Sequence, residues 1–302
     1  MKYLPTHENF LGIEDEDFYS YTNAKFVVQS IPYEHTSSYL QGSAKGPKAI
    51  IKASQFVEMY DEELDAEPYK TGRISTLKPI KFNKAVDADA IALIEEKTTR
   101  LLDEGKFVVS LGAEHTVTYG LVKAHAAKYK NLTVLQFDAH SDLREAYHDN
   151  PYSHASVMKR IFDLKLNIVQ AGIRAQCIEE AELIKKSKKI NTFYAHYIRA
   201  NEKTWIDEAL SKMTDNVYIT IDADGFDPSV IPAVGTAEPN GLFWNESLEL
   251  FRRTIMEKNV VGFDIVECAP MKGTILSEYT LAKLAYRLMG YITTKPAPTK
   301  KK

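Results

Sequence analysis

Cysteine is nearly absent. Cys177 and Cys268 are the only two in 302 residues, they lie far apart, and neither belongs to a Cys-x-x-Cys pair. That excludes a disulfide framework and a thiolate metal site, and it fits a reducing, cytoplasmic setting. Long apolar runs are also missing. No stretch approaches the ~20 residues a membrane span needs, and the opening MKYLPTHENFLG lacks the apolar core of a secretory signal, so export and membrane insertion are not expected. The net charge of -3 comes without a strongly basic stretch except at the last few residues, which removes the footprint of a nucleic-acid or anionic-membrane binder. Small-molecule partners remain. No repeat and no glycine- or proline-rich linker divides the chain. Only the C-terminal TTKPAPTKKK reads as low-order, and its lysines as a solvated end.

With 44% hydrophobic residues, the chain can fill one substantial core. Short apolar runs bounded by turns read as strands at 26–30, 107–111, 132–137, 168–171, 217–221 and 260–265. Helical spacing lies between them. Ile91, Ile94, Leu101 and Leu102 fall near one face before Gly105, as do Leu281, Leu284, Ala285 and Leu288 after Ser277. Strands apolar on both faces, alternating with helices, predict a mainly parallel sheet between helical layers: a three-layer α/β/α sandwich in one domain spanning 1–302. Residues 1–23 read as an N-terminal extension and 294–302 as a flexible tail.

Ligands of open parallel sheets collect beyond the carboxyl ends of the strands, and three such ends here are polar. FVVSLGAEHT delivers Glu114 and His115; LQFDAHSDLRE delivers Asp138, His140 and Asp142; VYITIDADGFDP delivers Asp222, Asp224 and Asp227. In extended backbone, side chains two apart share a face, so Asp138, His140 and Asp142 can point together, as can Asp222 and Asp224. Like charges gathered at buried strand ends repel and resist desolvation unless a cation compensates them. Six side chains around one ion would leave no open position, whereas four aspartates and two histidines shared by two divalent ions match charge and leave room for water. Oxygen ligands with some imidazole and no thiolate favour manganese, ahead of magnesium, zinc, nickel or cobalt. A water between such ions ionises near neutral pH, so metal-assisted hydrolysis is the predicted reaction type.

With these residues in view, the sequence resembles the ureohydrolases, the arginase and agmatinase family. GAEHT, DAHSD and DADGFDP look like that family's signature blocks, in the same order, and SIPYEHTSSYLQGSAKGPKAI, SHASVM, VGTAEPNGL and GFDIVECAP extend the likeness over roughly residues 25 to 290. The resemblance implies the α/β sandwich already inferred, assembled into trimers or hexamers. It implies one manganese on His115, Asp138, Asp142 and Asp222 and a second on Asp138, His140, Asp222 and Asp224. His154 would transfer a proton near the leaving group, Glu267 would hold the guanidinium, and Asp142 would count among the catalytic residues. Thr236 would lie near the substrate, and Asp227 would support the ligands. One departure stands out: Ala113 and Glu114 replace the glycine and shorter acid that many relatives carry beside the histidine ligand.

The resemblance leans toward agmatinases, which release urea and putrescine, with arginine, guanidinobutyrate and aminopropyl-agmatine as alternative substrates. These share the guanidine and differ at the far end. Arg144, Glu145 and Asp149 are expected at the mouth, where an acid would attract a distal ammonium. Other readings explain less. A phosphohydrolase D-x-D-G loop leaves Asp138, His140 and His115 unexplained, and an EF-hand fails because Phe226 stands where an oxygen ligand is needed. A non-catalytic binding or assembly module would be expected to lack ligands or Glu267, and none is missing.

Overall fold

The apolar runs become strands because β-branched and aromatic side chains fit a pleated surface covered on both sides. The computed structural model describes residues 2–296. Among these, Phe26–Ile31 (β1), Ile74–Thr76 (β2), Phe107–Gly112 (β3), Leu132–Phe137 (β4), Asn167–Ile173 (β5), Ile190–Tyr194 (β6), Asn216–Asp222 (β7) and Asn259–Val266 (β8) form one sheet. Its order is β2-β1-β3-β8-β7-β4-β5-β6, and every pair is parallel.

The helices are Glu16–Tyr19 (α1), Gly46–Ser54 (α2), Pro68–Gly72 (α3), Asp87–Asp103 (α4), Val117–Lys128 (α5), Val157–Asp163 (α6), Ile178–Lys186 (α7), Ala195–Ala200 (α8), Trp205–Ser211 (α9), Trp244–Glu257 (α10) and Leu276–Thr294 (α11). Strand alternation sends apolar side chains to both faces of the sheet. Leu135 and Phe137 of β4 pack in the cluster shared by α2, α8, α9, α10 and α11, while Leu132 and Val134 pack in the one shared by α4, α5 and α6. The three-layer α/β/α architecture is therefore as expected. In the first layer the rings of Phe226 and Phe251 lie 4.8 and 5.2 Å from that of Phe137. Truncating such a residue to alanine costs about 3–5 kcal/mol.

Two strands escaped the sequence reading, and both are edges of the sheet. β2 has three residues, and β6 reads INTFY, with Asn191 and Thr192 only half-buried. β6 lacks the two-sided burial that produces a continuous apolar run, while β2 is buried but is only three residues long with Ser75 and Thr76 in it. Residues 2–23 are also less of an extension than expected: Phe10, Leu11 and Ile13 are buried in the main cluster. Of the segment expected to be a tail, Thr294 still belongs to α11, and residues 297–302 lie outside the described residues. No described helix is long and apolar enough to cross a membrane.

One row of the sheet is polar although buried in every strand but the edge strand β6. Register aligns Gln29, Ser110, Asp264, Thr220, Gln136, Gln170 and Thr192 across neighbouring strands from β1 to β6. It runs just beneath the carboxyl ends that carry the acidic motifs. Within it Thr220 bonds Asp264, Gln170 bonds Gln136 and Thr192 bonds Gln170, which is how buried polar groups are retained.

Candidate active site

Four adjacent central strands, β3, β8, β7 and β4, end at the same place, and that placement brings the motifs together. Asp138, His140 and Asp142 follow β4, Asp222 ends β7 and Asp224 follows it, His115 follows β3, and Glu267 follows β8. His115 Nδ1 lies 3.1 Å from Asp138, 3.0 Å from Asp142 and 3.3 Å from Asp222, measured to one carboxylate oxygen of each. His140 Nδ1 lies 3.0 Å from Asp224 Oδ2 and 3.7 Å from Asp138 Oδ1. Two groups able to hold an ion result, His115 with Asp138 and Asp142, and Asp138 with His140 and Asp224; they share Asp138. Asp222 joins through Oδ2, while its Oδ1 accepts the Asp224 N–H at 3.0 Å.

The donor set fits divalent cations. Buried His115 Nδ1 is surrounded by three carboxylates yet makes no well-directed hydrogen bond, as expected of an atom aimed at a shared ion. Positive charge is also what the groups demand. Burial, reinforced by neighbouring carboxylates, pushes Asp138 up to about 7 and Asp222 well above the usual carboxylate range. Burial disfavours charge on the imidazoles, yet the adjacent carboxylates raise both His115 and His140. Four ionised aspartates become tolerable only against concentrated positive charge.

The supports come from the polar row. Thr118 and Tyr218 both donate to Asp264 Oδ2, and Thr220 donates to Oδ1 at 2.7 Å. The single Thr220 proton is thereby used, so His115 Nε2–H donates to Thr220 at 2.9 Å, and in the neutral ring that a cation requires Nδ1 is the nitrogen left bare to face it. On the other side, Thr192 donates to Gln170 Oε1 at 2.6 Å, Gln170 to Gln136 Oε1 at 2.6 Å, and Gln136 to Asp138 Oδ2 at 2.7 Å. Arg174 donates to the carbonyls of Gly172, Asp224, Gly225, Phe226 and Glu238, fastening two site loops to the end of β5. Gly225 permits the close approach of one of them: a Cβ there would stand 2.5 Å from the Phe137 ring and 2.9 Å from the Asp138 nitrogen.

A cavity of about 280 Å³ opens over these groups, lined also by His154, Glu267, Thr236, Arg144, Tyr147 and Glu238. Glu267 has φ +62°, a left-handed conformation costing a non-glycine residue roughly 1–2 kcal/mol. It is pinned at both ends: its N–H donates to the Ala113 carbonyl at 2.7 Å, and its Oε1 accepts the His115 N–H at 2.7 Å. Burial and nearby Glu114 push its carboxyl well up. His154 is half-buried, and burial lowers it below the usual histidine range.

Two expectations need correction. Glu145 is exposed and paired with Lys159 and Arg160, and Asp149 sits exposed on a loop at φ +60°; neither lines the cavity. Of the three charged residues expected at the mouth, Arg144 alone does so. The acid facing the cavity with its carboxylate in no hydrogen bond or ion pair among the described residues is Glu238, within the VGTAEPNGL segment. Asp227 supports at one remove: it accepts from Ser229 and from the Gly241 N–H, closing the loop that carries Thr236 and Glu238.

Residues 24–290 match the arginase-family model. The chain belongs to the arginase family. It is similar to an N(1)-aminopropylagmatine ureohydrolase from Synechocystis, 43% identical over 92% of each chain, and to an agmatinase from Bacillus anthracis, 35% identical over 83% of this chain and 86% of that one. The crystal structure of an agmatine ureohydrolase of Thermoplasma volcanium superposes with a TM-score of 0.81 at 29% identity, covering 96% of this chain and 95% of that one. This family member is thus an amidinohydrolase, a ureohydrolase of small guanidino substrates, with His/Asp groups suited to the family's metal pair.

Proposed function

We propose that the chain cleaves the guanidino group of an aminopropyl-extended agmatine, releasing urea and a triamine, and that agmatine is its second substrate. The observation carrying this reading is one cavity onto which five of the six candidate ligands, Glu267 and His154 open, with buried Asp138 shared between the two ligand groups beneath it. Sequence alone put agmatine first. The order changes because the relative at 43% identity is named for the longer substrate, and because free Glu238 beside the cavity suits a cationic far end. A carboxylate-bearing far end would have to pass that acid, although Arg144 would welcome it.

In this reading His115, Asp138, Asp142 and Asp222 hold one divalent ion and Asp138, His140, Asp222 and Asp224 the other, manganese being preferred. The pair would supply a water ionised near neutral pH. Glu267 receives the planar guanidinium, with Oε1 held by the His115 N–H so that Oε2 turns to substrate; an arriving cation replaces the proton that burial otherwise favours. Thr236 packs against the substrate chain. His154, neutral at pH 7, takes up a proton and passes it to the departing amine nitrogen, without which that nitrogen is a poor leaving group. Asp142 acts in catalysis through its place beside His115. A cytoplasmic setting, supported by free Cys177 and Cys268, and assembly into trimers or hexamers complete the proposal.

Urea release from the manganese-loaded protein, measured over aminopropylagmatine, agmatine, arginine and guanidinobutyrate, tests it. The highest kcat/KM is expected for aminopropylagmatine and the next for agmatine. A preference for arginine or guanidinobutyrate would overturn the assignment.

A further inference from the structure

His154 does not stand alone at the cavity wall. Its Nδ1 lies 3.0 Å from Thr36 Oγ1, and its backbone N–H donates to the same oxygen at 3.1 Å. Thr36 in turn touches Glu114 twice, through its N–H at 2.7 Å and its hydroxyl at 3.2 Å, both to Oε2. The His35 N–H reaches that oxygen as well, at 3.0 Å. Glu114 is fully buried.

Proton counting gives this chain a direction. Glu114 Oε2 receives two backbone N–H groups, which can only donate, so it acts as an acceptor. The one hydroxyl proton of Thr36 therefore points to Glu114. Were it turned to His154 instead, Oγ1 and Oε2 would face each other as unbridged acceptors at 3.2 Å. With that proton committed, Thr36 Oγ1 can only accept from the imidazole. The proton on His154 then sits on Nδ1, and Nε2 is the nitrogen left to exchange protons.

We propose that Thr36 and Glu114 are positioning residues for His154, a relay that fixes its tautomer and ring orientation so that Nε2 serves the leaving amine. The proposal rests on the proton-transfer role given to His154 above. It also gives the departure at Glu114 a purpose. An aspartate there would be shorter by one carbon–carbon bond, about 1.5 Å, and would no longer reach the Thr36 hydroxyl from the end of β3. The loop is held at its other end too: Glu34 accepts from Ser37 and from the N–H groups of Gly42 and Ala44. Thr36 is therefore presented by a segment fastened at both ends to buried or half-buried carboxylates.

The test compares Thr36→Val, Thr36→Ser, His154→Asn and the Thr36→Val/His154→Asn double variant, each manganese-loaded, by urea release and metal content. Thr36→Val should lower kcat by about 10-fold or more, part of the 10²–10⁴ that positioned proton transfer supplies, with KM and bound manganese unchanged. Thr36→Ser should restore kcat, and the double variant should be no slower than His154→Asn. Should the valine variant not fold, Thr36→Ala takes its place. Wild-type kcat in the variant without the hydroxyl, or losses that add in the double variant while His154→Asn alone is impaired, would overturn the relay. Undiminished kcat in His154→Asn would instead remove the proton-transfer reading beneath it.

Discussion

His115 Nε2 and the Thr220 hydroxyl lie 2.9 Å apart, with Asp264 taking the Thr220 proton 2.7 Å further on. The tautomer of a proposed metal ligand is thus set by a strand residue that never meets the ion. Thr220→Val, which keeps the shape and loses the acceptor, should weaken divalent metal binding by roughly 10- to 100-fold. Titration of the metal-free protein with manganese, followed calorimetrically, checks this; an unchanged affinity would show that the row beneath the site does not orient His115.

Glu267 combines a strained backbone with a buried carboxylate. Glu267→Gln keeps the hydrogen bond from the His115 N–H within reach but removes the charge proposed to meet the guanidinium. The loss of a buried charge pair is worth roughly 2–5 kcal/mol, so kcat/KM should drop by about 30-fold or more, while the variant stays folded and binds manganese. Retained kcat/KM would move the guanidinium elsewhere in the cavity.

Glu238 should matter for the far end of the substrate alone. As a partly exposed rim charge it contributes at most about 1 kcal/mol. Glu238→Gln should then lower kcat/KM for aminopropylagmatine and agmatine by up to about fivefold and leave or improve that for guanidinobutyrate. Equal effects on cationic and anionic far ends would remove it from specificity.

His125 offers a check on the fold rather than the chemistry. It is fully buried between α5 and β8, where a Cβ on Gly262 would stand 2.4 Å from its Nε2, and burial depresses its pKa to about 4. Between that value and the usual 6.5 the unfolded chain binds a proton that the native chain refuses, so stability falls as pH drops through this window and levels below it. The contribution is roughly 3 kcal/mol. Denaturant titrations from pH 7 to pH 4 should show this slope, and His125→Gln should flatten it even if less stable at pH 7. An unaltered slope would place the acid sensitivity elsewhere.

Much of this was legible in the sequence because the chemistry sits where apolar runs stop. β4 and β7 announce themselves by continuous burial, and the acidic motifs beyond them are conspicuous against it, so the α/β/α fold and the gathering of His115, Asp138, His140, Asp142, Asp222 and Asp224 could be anticipated. What could not be read are relationships set by register and loop path. Gln136, Gln170 and Thr192 look like ordinary strand polarity until pairing aligns them. Glu145 looked like a mouth residue, but Lys159 and Arg160 one helix later claim it. Glu238 and Thr36 lie in loops whose course depends on distant anchors, Arg174 and Glu114, and the left-handed backbone of Glu267 has no signature in a residue that seldom adopts it.

In the proposed mechanism two divalent ions, not one, serve this amidinohydrolase. Urea release from the chelator-stripped protein, measured as manganese is added back stepwise, tests it most directly. The stripped protein should be inactive, and activity should saturate at two equivalents per chain. Full activity without metal, or a plateau at one equivalent, would rule out the two-ion site.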